Sequence, residues 1–189
     1  MISDILMIKS IRPVNDYLVI SALGQDHPGI VDQLSKEIFN AGGNIVDSRM
    51  TVLGGEFAII LLVSGNADNI AQLEKVLPQS QERLALTIIV RRTAARTPHI
   101  NTVAYSVRAV SVDHPGIVYQ LANFFSCRNI NIENLNTTSY AAAHTGTPMF
   151  AVEMMIDIPA DIRLSELRED LTAFCDDLNI DVVMEPDKD

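Results

Sequence analysis

The sequence predicts an α+β protein made of two tandem copies of one βαββαβ unit, with antiparallel sheets and the helices packed on one face. Three observations carry that prediction. Asp26-His27-Pro28-Gly29-Ile30-Val31 returns as Asp113-His114-Pro115-Gly116-Ile117-Val118, 87 residues later, and an internal repeat fixes architecture before any local reading. The flanks repeat too, with Gln33-Leu34 against Gln120-Leu121 and Gly43-Asn44-Ile45 against Asn129-Ile130-Asn131. Finally, short helical stripes alternate with pairs of period-two apolar runs. A chain of 189 residues then divides into a leader (1–15), a first unit (16–92), a linker (93–101), a second unit (102–184) and a polar tail (185–189).

The leader ends near Pro13 and reads as a short helix or an extra strand. Asp16 to Leu23 is the first strand, with Leu18, Ile20 and Ala22 on one face. After the hexapeptide, Ile30, Val31, Leu34, Ile38 and Ala41 recur at helical spacing, and Gly42-Gly43 supplies a left-handed stop. Asn44 to Leu53 forms the next strand, and Gly54-Gly55 turns it tightly into Phe57 to Val63. Ser64-Gly65-Asn66 breaks the sheet before a helix carrying Ile70, Leu73, Val76 and Leu77. Leu84 to Val90 closes the unit as its fourth strand. Arg91-Arg92 and Arg96 read as a solvated basic cluster around the linker.

Thr102 to Ser111 repeats the first strand, and Gly116 to Cys127 repeats the helix through Ile117, Val118, Leu121 and Phe125. Asn129 takes the stop role, since asparagine also tolerates the left-handed region. Asn131 to Ala142 and Met149 to Ile158 are joined by a longer loop through His144 and Gly146. Ser165 to Asp177 is the last helix, with Leu164, Leu167, Leu171, Phe174 and Leu178 as its stripe. Asn179 to Met184 is the last strand.

Composition restricts function. Net charge is −10, with nine basic and ten acidic side chains in residues 1–96 but five and fourteen in 97–189. A nucleic acid site needs lysines and arginines to neutralise phosphates, so direct binding to nucleic acid is not expected. No apolar run reaches the roughly 18 residues that span a bilayer, and the N-terminus has no signal-peptide pattern. Cys127 and Cys175 form no disulfide framework and are expected as free buried thiols in a reducing cytoplasm.

The hexapeptide is the place for chemistry. Pro28 and Pro115 suit the first turn of a helix, and either Asp26 or His27 can serve as the N-cap. Gly29 and Gly116 let a ligand or another backbone come close. The free amides at the helix start would then suit a carboxylate or phosphate. His27 and His114 have neither a nucleophile nor further metal ligands beside them. His99 and His144 are expected in solvent, and Asp176-Asp177 on an acidic surface. Gly54-Gly55 is a hairpin turn, not a phosphate loop. No catalytic residue, metal or cofactor is expected.

The Asp-His-Pro-Gly-Ile-Val turn, its glycine- or asparagine-stopped helix and the Asn-Ile strand start resemble the ACT domain over nearly all of residues 16–184. That resemblance implies a ferredoxin-like sheet and regulatory binding of amino acids between two domains. It implicates Asp26, His27, Gly29, Ile30 and Asn44 in the first copy. In the second it implicates Asp113, His114, Gly116, Ile117 and Asn131. A pair of this size resembles the glycine cleavage system transcriptional repressor family, which implies a bacterial regulator restraining a DNA-binding activator by protein contact, with glycine as signal. Formyltetrahydrofolate deformylases open on a similar turn, but that enzyme needs a catalytic domain where this chain has a second copy. The other reading is an interaction module whose turns bind no small molecule. Exposed edge strands also favour self-association.

Overall fold

Two four-stranded antiparallel sheets organise the chain, each with a strand of the repeat's first segment in its interior. The computed structural model describes residues 16–95 and 101–187. The expectations for the leader, for Arg96 and for His99 lie outside those residues. Contacts divide the chain into Met1–Thr97 and Pro98–Asp189.

The first unit runs β1 (Asp16–Gln25), α1 (Ile30–Asn40), β2 (Asn44–Leu53), β3 (Glu56–Gly65), α2 (Ala67–Gln79), a single turn α3 (Gln81–Leu84) and β4 (Thr87–Thr93). Its sheet order is β2-β3-β1-β4. Period-two alternation on β1 buries Leu18, Ile20 and Ala22 against Leu34 and Ile38 of α1 and Ile70, Leu73 and Leu77 of α2. Each large side chain taken fully from water contributes about 1.5–3 kcal/mol, so this one face holds the unit together.

The second unit repeats the plan as β5 (Thr102–Val112), α4 (Ile117–Ser126), β6 (Asn131–Ala141), β7 (Pro148–Pro159), α5 (Leu164–Asp177) and β8 (Asp181–Pro186), with order β6-β7-β5-β8. Its core comprises Val107, Leu121, Phe125, Met154, Ile156, Leu167 and Leu171, among others. The fold is a pair of ferredoxin-like βαββαβ units with helices on one face of each sheet.

The helix stops differ in chemistry while serving the same turn. Gly42 sits at φ +76, as its role requires, and Asn69 Nδ2 donates to its carbonyl at 2.8 Å. Gly43 is glycine for another reason. A Cβ there would lie 2.9 Å from Val63 and 3.0 Å from Ile38 and Leu73. In the second unit Asn129 takes φ +56, and Arg128 replaces the Asn69 tie. Its guanidinium lies 3.8 Å over the Phe124 ring, donates to the Phe124 carbonyl at 3.1 Å, and pairs with Asp170 of α5 at 3.1 Å. Gly54 and Gly55, at φ +61 and +89, form the predicted two-residue hairpin turn.

Several elements depart from expectation. Leu84 is not in the fourth strand. It ends α3, Ala85 turns at φ +53, and β4 starts at Thr87. The strand then continues past Val90 through Arg91 and Arg92, which pair with β1 as sheet residues. Arg92 forks onto Glu74 at 2.9 and 2.8 Å and reaches Asp16 at 3.4 Å. That guanidinium holds the Glu74 carboxyl below its usual range. Ser64 and Gly65 extend β3 rather than breaking it. Asn179, at φ +55, stops α5, so the last strand slides to Asp181–Pro186 and takes in the start of the expected tail. Asp187 continues it, its backbone N–H donating a hydrogen bond to the Ala104 carbonyl at 3.1 Å.

Candidate functional site at the two hexapeptide turns

The two turns have the same backbone geometry, and it differs from the predicted one. The N-cap is neither the aspartate nor the histidine. It is Gly29 at φ 96, ψ −4 and Gly116 at φ 100, ψ −7, with no side chain bonded to the helix start in either copy. Pro28 and Pro115 therefore precede the cap and shape the turn. A positive φ at that place requires glycine irrespective of ligand. The glycine carbonyls accept the first intrahelical bonds, from the Gln33 amide at 3.0 Å and the Gln120 amide at 2.9 Å. His27 Nδ1–H donates to the Pro28 carbonyl at 3.1 Å, and His114 to Pro115 at 3.2 Å. A carbonyl can only accept, so this contact selects the Nδ1-protonated tautomer and leaves Nε2 free to accept.

Within each turn the predicted residues divide by exposure. Asp26, His27, Gly29, Asp113, His114 and Gly116 are exposed. Ile30 and Ile117 are buried in the cores, so only their amides can meet a ligand. The Asp26 amide donates to the Gly55 carbonyl and the Asp113 amide to Pro148, both at 3.0 Å. Each turn thus rests on the hairpin of its own unit. In the second unit Asp113, His114, Gly116 and Ile117 line one hollow of about 630 Å³ with Phe150.

The two asparagines are elsewhere. Asn44 pairs with Ser64, which pairs with Tyr17 at the start of β1, whereas the turn follows Gln25 at its end. Eight residues of strand separate those levels, or about 25 Å at 3.3 Å per residue. Asn131 is displaced in the same way, level with Ala104 while its turn follows Val112. No single unit brings its turn and its asparagine together.

The repeated glutamine also lies at the two helix starts, a placement its repetition alone does not reveal. Gln33 Nε2 would lie 3.5 Å from a Cβ on Gly29. Gln120 Oε1 is buried with no hydrogen-bond partner among the described residues.

Against known proteins, the ACT domain family matches residues 16–91. The glycine cleavage system transcriptional repressor of Escherichia coli is 31% identical over 163 residues, 86% of each chain. The chain belongs to the glycine cleavage system transcriptional repressor family. The likeness extends to three dimensions. A crystal structure assigned as a repressor of that name has 27% identity and TM-score 0.71, covering 93% of this chain and 99% of its own. A protein of unknown function from Galdieria sulphuraria gives 28% identity and TM-score 0.76, covering 92% and 99%.

Around this family member's turns the described residues hold no group of three or more His, Cys, Asp or Glu placed to bind a metal ion. No described helix is long and apolar enough to cross a membrane. The two thiols differ. Cys175 is core, and burial, then the Asp176 charge, pushes it up to about 11. Cys127 is exposed, contrary to expectation, because it caps the outer end of α4. Iodoacetamide at pH 8 is therefore expected to label Cys127 in the folded protein. Cys175 should be labelled only after unfolding, as peptide mass mapping would show.

Proposed function

We propose that this member of the family is a non-enzymatic regulator that binds a small amino acid, with glycine the first candidate. In the proposal it restrains a DNA-binding transcriptional activator by protein contact and does not itself bind DNA. The carrying observation is the duplication of one helix start, with φ at glycine of 96° and 100° and the same histidine contact in both copies. First-turn amides at the positive end of a helix favour a carboxylate. An amino acid also brings an ammonium group, which Asp26 or Asp113 can accept. The name carried by the Escherichia coli relative supports the repressor role. The charge of −10 supports a protein partner over a DNA duplex, whose phosphates it would repel.

Titration calorimetry of the full chain with glycine and a panel of other amino acids tests the sensor. Heat with a small amino acid is expected, and silence across the panel would overturn it. The protein alone should leave promoter DNA unshifted in a gel at physiological salt. A sequence-specific shift would overturn the protein-contact part.

A further inference from the structure

The helices cover one face of the first sheet and leave the other face open. On that open face the register lines up Val19, Leu23, Ala58, Ile60, Leu62 and Ile89 across β1, β3 and β4. Ile89 is 64% exposed, Leu23 52% and Ile60 49%. Val19, Ile60 and Leu62 line a hollow of about 380 Å³ together with Asp47 and Arg49 of β2. A contiguous apolar patch rimmed by charge marks an interaction surface. The fold itself does not require one there. At the matching places the second unit carries Ser106, Arg108, Glu153 and Glu185, with Arg108 and Glu185 paired at 3.3 Å. The same sheet therefore forms with that face polar.

We propose that the open face of the first sheet packs on the same face of a second copy of this chain, about a two-fold axis parallel to the strands and midway between β3 and β1. Charge selects both the occupant and the axis. One level of the sheet reads Asp47, Leu62, Val19 and Arg91, on β2, β3, β1 and β4 in that order. The acid and the base thus stand at opposite edges, about 14 Å apart at 4.8 Å per strand. Among the described residues Arg91 has no ion-pair partner. The axis exchanges the two edges. It sets Asp47 against Arg91 of the second copy, twice, with Leu62 and Val19 meeting between them. Arg49 keeps Asp47 of its own chain beside it.

A two-fold axis running across the strands fails the same test. At the level of Ser21 it opposes two Arg49 side chains, and at the level of Val19 two Arg91 and two Asp47. Like charges across an interface are costly. Aligned sheets cross at about 30°, which moves the edge strands by only about 4 Å, within reach of an arginine. Four strands of some ten residues present about 600 Å². Two such faces bury about 1,200 Å², the area at which specific interfaces begin. A contact of this symmetry closes on itself. It is independent of the amino acid reading.

Sedimentation and native mass spectrometry of the full chain should find the copies associated. Ile89→Lys puts a charge into the apolar face, and Arg91→Glu sets acid against Asp47. Each should weaken association about tenfold or more with the Tm almost unchanged, because both side chains are exposed. Adding Asp47→Arg to Arg91→Glu should restore it. Val183→Lys, the counterpart of Ile89→Lys on the second sheet, should leave it unchanged. In a Cys127→Ser background, Ile60→Cys should be joined to its counterpart by a short bismaleimide. Association indifferent to both Ile89→Lys and Arg91→Glu would overturn the proposal in favour of another surface. A wild-type monomer at every concentration would overturn it as well. If Ile60→Cys in that monomer resisted maleimide, the face would belong to another segment of the chain or to a different protein.

Discussion

Phe125→Ala is expected to cost the second unit about 3–5 kcal/mol, the range for deleting a buried phenylalanine. Phe125 is fully buried. Its ring meets Phe124 edge-on at 5.3 Å and 87°, and Phe124 meets Phe174 of α5 at 5.1 Å with the rings tilted by 36°. Truncation therefore leaves a cavity where α4, α5 and the sheet converge, and it removes one ring of that cluster. A unit of this size has only about 5–15 kcal/mol in total, so the loss is a large share of it. At about 4–8 °C per kcal/mol for such a domain, its Tm should fall by more than about 10 °C. The two cores share no residue. Scanning calorimetry should accordingly show a second-unit transition moving down while the first stays in place. A single transition moving as a whole would mean that the units unfold together. A shift of only a degree or two would mean that the cavity collapses.

Period and repetition made the fold legible, and chain-local signals failed where the decision depended on the third dimension. Leu18, Ile20 and Ala22 alternate over enough residues to announce a strand, as do the stripes of α1 and α4. Leu84 does not. Over three or four residues an apolar position fits a helical turn as well as a strand, and the tertiary contacts of Gln81 decide it. Gln81 Oε1 accepts from the Ile88 amide at 2.9 Å, which fixes the turn before β4. In the sequence Arg92 looks solvated because a charge in isolation reads that way. Its partners Glu74 and Asp16 lie 18 and 76 residues away, beyond any local pattern. At the site, the sequence points to the turn but not to its inner geometry. Proline at the first helical position and glycine as a left-handed cap are both reasonable readings of Pro28-Gly29, and only the backbone angles separate them. The wide spacing of Asn44 from its own turn was hidden for a related reason. In the sequence only α1, eleven residues long, and its stop stand between them, but that helix carries the chain back to the far end of the sheet.

Gly29→Val and Gly116→Val are expected to abolish amino acid heat at their respective turns while leaving the protein folded. The strain is local. An L-residue at positive φ costs roughly 1–2 kcal/mol, and a β-branched one stands at the upper end. Space is not the obstacle, since a Cβ on Gly116 meets nothing within 4 Å and one on Gly29 meets only Gln33 Nε2 at 3.5 Å. The affected unit should lose about 5–15 °C in Tm, and the helix should restart on a different cap, turning its first amides away from the ligand. Gly29→Asn and Gly116→Asn separate strain from occupancy, because asparagine tolerates positive φ yet carries a polar side chain. Heat lost in both pairs of variants places the ligand against the glycine. Loss with valine alone makes the direction of the amides, rather than room at the turn, the feature that binds. Full heat in all four would place the amino acid somewhere other than the helix starts, whatever the repeat suggests.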